Sequence, residues 1–416
     1  MARRVLVTGA SGRIGLPLVR ALAAAGHAVT GLARSPTKAA VVRDAGAVGC
    51  LVGGIHDRAL LARGAAGADL VFHLAGGLRG PGAETADRLN RGGTVALVEA
   101  LSEAGARPRV VYASSAAVYG DRAGLWVEED FPASPQTNYG RSKAAAERVL
   151  LDSGLPVRVA RIGIVYGPGF PVLLDRAIRA GRAWLPGEGD AWMPVIHVDD
   201  CVQALLAIAA SDADGSTWHV AAPEPALALD FYREVHARVG GRPVRFWSTF
   251  VPSWAQAWAA SRVEAAFERT PMRPPITPDH LRLLSASVRL KVDGLARGLA
   301  FRWRHPDIAS GLDAALRPAA SLARALDRAG ERFDALAARL DALGERLDVG
   351  PSTPVARILA SRPGARDVLA RRHLSSCADC PVGEDETLAE VAETHGLFLP
   401  DLLAEIRALP PSGGPA

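Results

Sequence analysis

The stretch NYGRSK sets Tyr139 and Lys143 four residues apart, so on a helix the two side chains leave the same face one turn from each other. A phenol with an ordinary pKa of about 10 is a poor proton shuttle at neutral pH, and lowering it by three units takes roughly 4 kcal/mol of differential stabilisation. An ammonium a few ångströms away in a partly dry site supplies energy of that order, which suits the pair to general acid/base work. Upstream, RVVYASS ends in Ser114 and Ser115, where a hydroxyl at the carboxyl end of a strand can hydrogen-bond a substrate oxygen beside Tyr139. Taken singly each feature is commonplace; together, and in this order, they are specific.

Proton transfer at such a site needs a partner reaction, and VTGASGRIG supplies a place for one. It follows the apolar run RRVLVT and opens IGLPLVRALAAAGH, in which Ile14, Leu18 and Leu22 have helical spacing. Glycines 9, 12 and 15 strip the turn of side chains, so backbone N–H groups and the positive end of a helix can approach a pyrophosphate. The candidate ligand set is Gly9, Ser11, Gly12, Arg13, Ile14 and Gly15. An acidic residue at the end of the second strand would meet the adenosine ribose of NAD; GLARSP has Ala33 and Arg34 there, which favours NADP over NAD.

These residues require rigid elements around them. HAVTGLAR, ADLVFHLAG, RVVYASS and VRVARIGIVYG read as further strands, with helical segments between several of them. The alternation predicts an α/β fold with a doubly wound, Rossmann-type parallel sheet. Tryptophans gather between residues 168 and 304, as expected of a smaller substrate lobe, and the whole body is expected to span residues 1–316. A linker helix with heptad spacing is expected over 317–350, carrying Leu322, Leu326, Phe333, Leu336, Leu340 and Leu347. Gly330 and Gly344 weaken that seam, and Arg332, Arg339 and Arg346 would crowd a parallel partner. Packing onto the body or an antiparallel partner is therefore favoured, with a homodimer left open. Residues 351–412 read as a small all-α domain, in which Thr387 and Glu390 form a capping box and Pro400 suits a first helical turn.

Bulk properties narrow the function. A chain of 416 residues with 48 Lys plus Arg against 44 Asp plus Glu, its arginines scattered, gives no support for nucleic-acid binding. No leader precedes the first strand signal and no apolar run is long enough to span a bilayer, so a cytoplasmic location is expected. The segment FWSTFVPSWAQAWAA lacks the cationic face of a membrane-surface helix and reads as a lid or core element. Cys377 and Cys380, in SSCADCP, have a spacing that suits a reversible disulfide, half of a zinc site with His373 and His395, or part of an iron–sulfur site. Two cysteines packed as small apolar groups is the remaining alternative.

TGASGRIG, VFHLAG, NRGGT, VVYASSAAVYG, YGRSK, RIGIVYGPG and PVIHVDD together resemble the extended short-chain dehydrogenase/reductase family, also called the NAD-dependent epimerase/dehydratase family, over residues 3 to 316. The resemblance implies that Tyr139 is the proton donor and acceptor, Lys143 its pKa modifier and ribose ligand, and Ser115 rather than Ser114 the substrate-oxygen partner. It further implies that His73, Leu74 and Ala75 line the adenine and ribose side, that Gly163 and Ile164 approach the nicotinamide or substrate, and that Asn90 and His197 are structural. Three departures shape the expectation. Gly54 stands where the family often has an Asp, Ala116 and Ala117 follow Ser115 where dehydratases carry an acid pair, and Ile164 replaces a polar asparagine. Dehydration is thereby disfavoured, and a substrate that is apolar or sugar-derived without its nucleotide is expected.

The tail, from STPVARILASRPGARDVLARRHLSSCADCPVG through TLAEVAETHGLFLPDLLAEI, resembles the small helical domain DUF1858, which implies a redox role or a redox partner at Cys377 and Cys380. The leading expectation is an NADP-dependent oxidoreductase acting on a carbonyl or secondary alcohol. The alternatives are a sugar epimerase that keeps its cofactor bound, and a module that senses NADP(H); sensing would need no proton shuttle.

Overall fold

The computed structural model describes residues 2–77, 82–185, 187–246, 258, 262, 278–316, 349–362, 364–371, 387–395 and 398–410. The expected heptad helix falls almost wholly outside the described residues, as do most of the segment after Phe246 and both Cys377 and Cys380. The chain divides into two compact units, Met1–Glu264 with Pro275–Ala315, and Ala265–Pro274 with Leu316–Ala416.

The first unit is built on a seven-stranded sheet. Its strands are β1 (Arg4–Thr8), β2 (Ala28–Ala33), β3 (Gly49–Val52), β4 (Leu70–His73), β5 (Arg109–Ser115), β6 (Val157–Ile162) and β7 (Ser216–Val220). They lie in the order β7-β6-β5-β4-β1-β2-β3, and every pairing is parallel. Side chains alternate across it, so Val5 and Val7 enter one core and Leu6 the other. One face is covered by α1 (Gly15–Ala24), α2 (Pro36–Asp44) and α6 (Val198–Ala210), the other by α3 (Arg58–Ala65), α4 (Gly93–Glu103) and α5 (Asn138–Leu151). Helices on both faces explain why β4 and β6 are buried at every position, since a strand covered twice has no solvent side.

Two of the seven strands escape the sequence pattern. GCLV in β3 is an edge strand of only four residues, none fully buried, and STWHV in β7 is an edge strand with polar residues, so neither carries a long apolar run. VRVARIGIVYG, expected as one strand, is two. After Ile162 the chain leaves the main sheet, and Ile164–Tyr166 pairs instead with Val195–His197. Gly163 marks the break because a Cβ there would overlap the carbonyl oxygen of Pro194, which the backbone approaches directly. Short two-stranded ribbons complete the lobe: Trp192–Met193 with Ala226–Leu227, Trp184–Leu185 with Arg245–Phe246, and Trp126–Val127 with Arg289–Leu290.

In the second unit the helices Val355–Ser361, Ala365–Arg371, Leu388–His395 and Leu399–Arg407 enclose a core that includes Val349, Ile358, Val368, Val391, Leu402 and Ile406. The capping box is present: the Glu390 N–H donates to Thr387 Oγ1 at 3.3 Å and the Thr387 N–H donates to Glu390 Oε2 at 3.1 Å. Pro400 sits in the first turn of its helix. Among the described residues no helix is long and apolar enough to cross a membrane.

Candidate active site

The cleft opens at the carboxyl ends of β1, β4 and β5. Gly9 turns the chain out of β1 with φ +70°, a conformation that L side chains rarely adopt. A Cβ on it would stand 2.9 Å from the amide nitrogen of Ala75, and one on Gly15 would overlap the Gly9 carbonyl oxygen. The two glycines therefore let α1 and the segment after β4 close onto one loop. Three neighbouring helices are capped by side chains: Ser35 caps α2, Asp57 caps α3 and Thr137 caps α5. Helix α1 starts at Gly15 with no side-chain cap and no acidic residue in its first turn. A bare, positive helix end beside a cradle that a Cβ would fill fits the pyrophosphate of a dinucleotide. Around it, Ser11 and Ile14 are half-buried and Arg13 is exposed, its guanidinium 5.9 Å from the centre of the Phe170 ring. Arg34 is exposed just past the end of β2.

The chain after β4 connects this loop to the rest of the site. His73 does so from within the core, because its ring is fully buried and both nitrogens are engaged. Thr94 Oγ1 donates to the Asn90 carbonyl, so it accepts from Nε2 of His73 at 3.0 Å, and Nδ1 accepts from Thr8 Oγ1 at 2.8 Å. Burial pulls the His73 pKa down to about 3, so the ring stays neutral. The expectation that His73 lines the adenine side thus needs correction for its ring, which positions the half-buried Leu74 and Ala75 instead. Asn90 has the expected structural part: it exchanges hydrogen bonds with Gly77 at 3.1 Å in both directions and donates to Ser142 Oγ at 2.9 Å. A Cβ on Gly76 would lie 3.3 Å from Lys143 Nζ, so the segment 74–77 runs from the glycine loop to Lys143.

Helix α5 carries Tyr139 and Lys143. Thr137 caps it by accepting from the Gly140 N–H at 3.0 Å, and a Cβ on Gly140 would overlap the Ala117 carbonyl. That contact draws the start of α5 against the end of β5, where Ser115 lies beside the Tyr139 side chain and accepts from the Ala117 N–H at 3.2 Å. Ser114 faces the other way and donates its hydroxyl to Glu147. Lys143 Nζ donates to the Ala113 carbonyl at 2.8 Å and lies 4.8 Å from the centre of the Tyr112 ring, with 5% of the residue exposed.

The electrostatics differ from the simple two-residue expectation. Burial raises the pKa of Tyr139, and the neighbouring Ser115 hydroxyl is the influence that lowers it. Burial also pulls Lys143 down to about 8, against an opposing pull from Glu147. The ammonium is directed to the Ala113 carbonyl, so within the protein alone desolvation outweighs the charge one turn away.

Below these residues runs a buried polar network that sequence reasoning missed. Arg161 grips Glu147 through two bonds, Nε to Oε1 at 3.1 Å and a second nitrogen to Oε2 at 2.8 Å. It also donates to the Tyr119 hydroxyl at 2.7 Å. His219 donates from Nδ1 to the Lys291 carbonyl at 2.7 Å, which leaves Nε2 to accept from Tyr119 at 2.6 Å. Burial holds His219 down to about 4. The signal was present in Glu147, four residues after Lys143 on the inward side of α5, and in Arg161, one of two arginines, with Arg158, inside a fully buried strand.

Sheet, loop and cleft define an α/β protein of the dinucleotide-binding class. The chain belongs to the NAD dependent epimerase/dehydratase family, whose model matches residues 5–221. A 3-diazoavenalumate denitrifying reductase from Streptomyces sp is 37% identical over 265 residues, which is 58% of this chain and 83% of that protein. The 4-hydroxy-2-methyl-3-oxo-4-farnesyl-3,4-dihydroquinoline-1-oxide ketoreductase of Stigmatella aurantiaca is 30% identical over 320 residues, 72% of this chain and 92% of its own. Among solved structures, MoeE5 in complex with UDP-glucuronic acid and NAD aligns with a TM-score of 0.59 at 27% identity, covering 76% of this chain and 98% of that one. The protein is accordingly an enzyme of this extended short-chain dehydrogenase/reductase family.

The Lys143 pKa has a measurable consequence. Between about pH 8 and 10.5 the unfolded chain holds a proton that the folded chain has released, so stability rises with pH through that window. A shift of this size corresponds to at most roughly 3 kcal/mol, present in full as a penalty below pH 8. Denaturant unfolding across pH 7 to 11 should show this gain in the native protein and its loss in Lys143→Met; parallel profiles would refute the assignment.

Proposed function

We propose that the enzyme is a reductase that interconverts a carbonyl and a secondary alcohol on a small molecule that is apolar or sugar-derived, with NADP preferred over NAD. The observation that carries this reading is the placement of Ser115 beside Tyr139, one helical turn from Lys143 and joined to the glycine loop by residues 74–77. Gly9, Ser11, Gly12, Arg13, Ile14 and Gly15 would hold the pyrophosphate, Leu74 and Ala75 the adenosine side, and Lys143 the nicotinamide ribose. Gly163 and Ile164, at the break after β6, would border the nicotinamide and substrate. When bound, the dinucleotide supplies or accepts the hydride.

The chain's own residues handle the proton. Ser115 holds the substrate oxygen beside the phenol, and Tyr139 gives or takes a proton at that oxygen. Tyr139 is protonated at rest, as a phenol is at neutral pH, so the side chain holds the proton that a reduction needs. Reductase names on the Streptomyces and Stigmatella relatives support the same direction. Ala116 and Ala117 offer no acid pair after Ser115, which weighs against dehydration. Arg34, exposed at the end of β2, supports the preference for NADP by its charge.

A second reading, a sugar epimerase that retains its cofactor, draws support from the likeness to MoeE5 with its UDP-sugar and NAD. Net change in nicotinamide absorbance during turnover distinguishes the two, since an epimerase returns the hydride it takes. For the second unit we propose a redox or partner-binding role centred on Cys377 and Cys380, for which the CxxC spacing is the support.

Tyr139→Phe should lower kcat by at least about 100-fold while leaving dinucleotide binding in place, and retained turnover would reject the proton-transfer role. Fluorescence titration should show tighter binding of NADPH than NADH, and the reverse order would overturn the cofactor preference. Thiol titration of the full chain should find two more reactive thiols after reduction than before, and an unchanged count would remove the disulfide reading.

A further inference from the structure

Away from the cleft, three side chains that neither the loop nor the proton-transfer site uses converge at the start of α6. His197, Asp199 and His305 place potential ligand atoms within 4.8 Å of one another. Asp199 Oδ2 is 3.7 Å from His197 Nδ1 and 4.0 Å from His305 Nε2. The two imidazole rings stand 4.3 Å apart, centre to centre, at 60°. The His197 side chain is 2% exposed and that of His305 11%. His305 Nε2, the atom turned to Asp199, is buried without a hydrogen-bond partner, although a buried imidazole nitrogen ordinarily has one.

The backbone holds this arrangement independently of any ligand. Asp200, itself 1% exposed, accepts from the N–H groups of Arg304 at 2.7 Å and His305 at 2.8 Å. His305 is thus delivered to the same spot by a residue next to Asp199, across a sequence gap of about one hundred residues.

We propose that His197, Asp199 and His305 form a three-ligand site for a zinc-type divalent ion, with a fourth position open to water. Two imidazoles and a carboxylate suit zinc, which takes nitrogen and oxygen donors at about 2.0–2.2 Å and so sets tetrahedral donors roughly 3.3 Å apart. Asp199 has to close on each imidazole by less than about 1 Å, and the two imidazole donors, up to 4.8 Å apart, have to close on each other by about 1.5 Å. Binding through His197 Nδ1 gives up one hydrogen bond, from the Asp199 N–H at 3.3 Å, which is long for its type. The carboxylates of Asp199 and Asp200 outweigh the roughly half positive charge of the α6 end. One cation competes: Arg304, 3.9 Å from Asp199 Oδ2, but 72% exposed and able to turn to solvent. The ion would fasten the end of the strand Val195–His197 to the segment that leads into the helix Ile308–Leu316. This inference does not rest on the proposed reaction.

The test uses the full-length chain carrying Cys377→Ser and Cys380→Ser, so that the tail thiols cannot supply the site. Calorimetric titration with zinc chloride should give one ion per chain and a raised Tm. Cobalt(II) should give visible absorption bands without the near-ultraviolet charge transfer that thiolate ligands produce. His305→Ala should weaken zinc binding by about 100-fold or more, and Arg304→Ala, which keeps all three ligands, should tighten it. Unaltered zinc affinity in His305→Ala, a thiolate band with cobalt, or an affinity in Arg304→Ala that is unchanged or weaker would each overturn the proposal. Should His305→Ala fail to fold, the Arg304→Ala and cobalt results decide.

Discussion

The site is arranged around the cost of keeping an ammonium in the interior. Lys143 is almost wholly buried, and three groups offset its lost hydration: the Ala113 carbonyl, the face of Tyr112 and the carboxylate of Glu147. Glu147 would be as costly by itself, and Arg161 holds it through a two-bond grip that extends to Tyr119 and His219. One buried charge has thus recruited a second and a third. The network crosses from α5 to β6 to β7 and fixes the spacing between them. Ser114 belongs to it, and this leaves its neighbour Ser115 to face Tyr139.

Backbone contact does for the cofactor side what charge does beneath Tyr139. Gly9, Gly15, Gly140 and Gly163 lie where main chains touch with no room for a side chain. Loop, helix and strand ends can therefore converge on one cleft. Asn90 and His73 keep those contacts in register from below, Asn90 through three side-chain hydrogen bonds and His73 through both ring nitrogens.

Much of this was legible in the sequence, for local reasons. Glycine spacing, the serine at a strand end and the four-residue step from Tyr139 to Lys143 are properties of short windows, as is the Thr387–Glu390 box. What stayed hidden depends on distance along the chain. β7 carries no apolar run, and its membership rests on pairing with β6 some sixty residues earlier. His305 reaches His197 only because Asp200 anchors it. The balance of influences on Tyr139 in the protein alone was hidden for a related reason. Helical spacing fixes which face Lys143 shares, but not that its ammonium turns to Ala113, nor how deeply the phenol is buried.

The order of strands, β7-β6-β5-β4-β1-β2-β3, also bears on how the protein is made. The first strand synthesised lies inside the sheet; the next two extend it on one side, and the remaining four extend it on the other. Each newly translated strand meets an edge that already exists, and none has to wedge itself between two formed neighbours. A ribosome-bound chain can thus assemble the sheet outward as it emerges, while the short strand Trp126–Val127 must wait about 160 residues for its partner Arg289–Leu290.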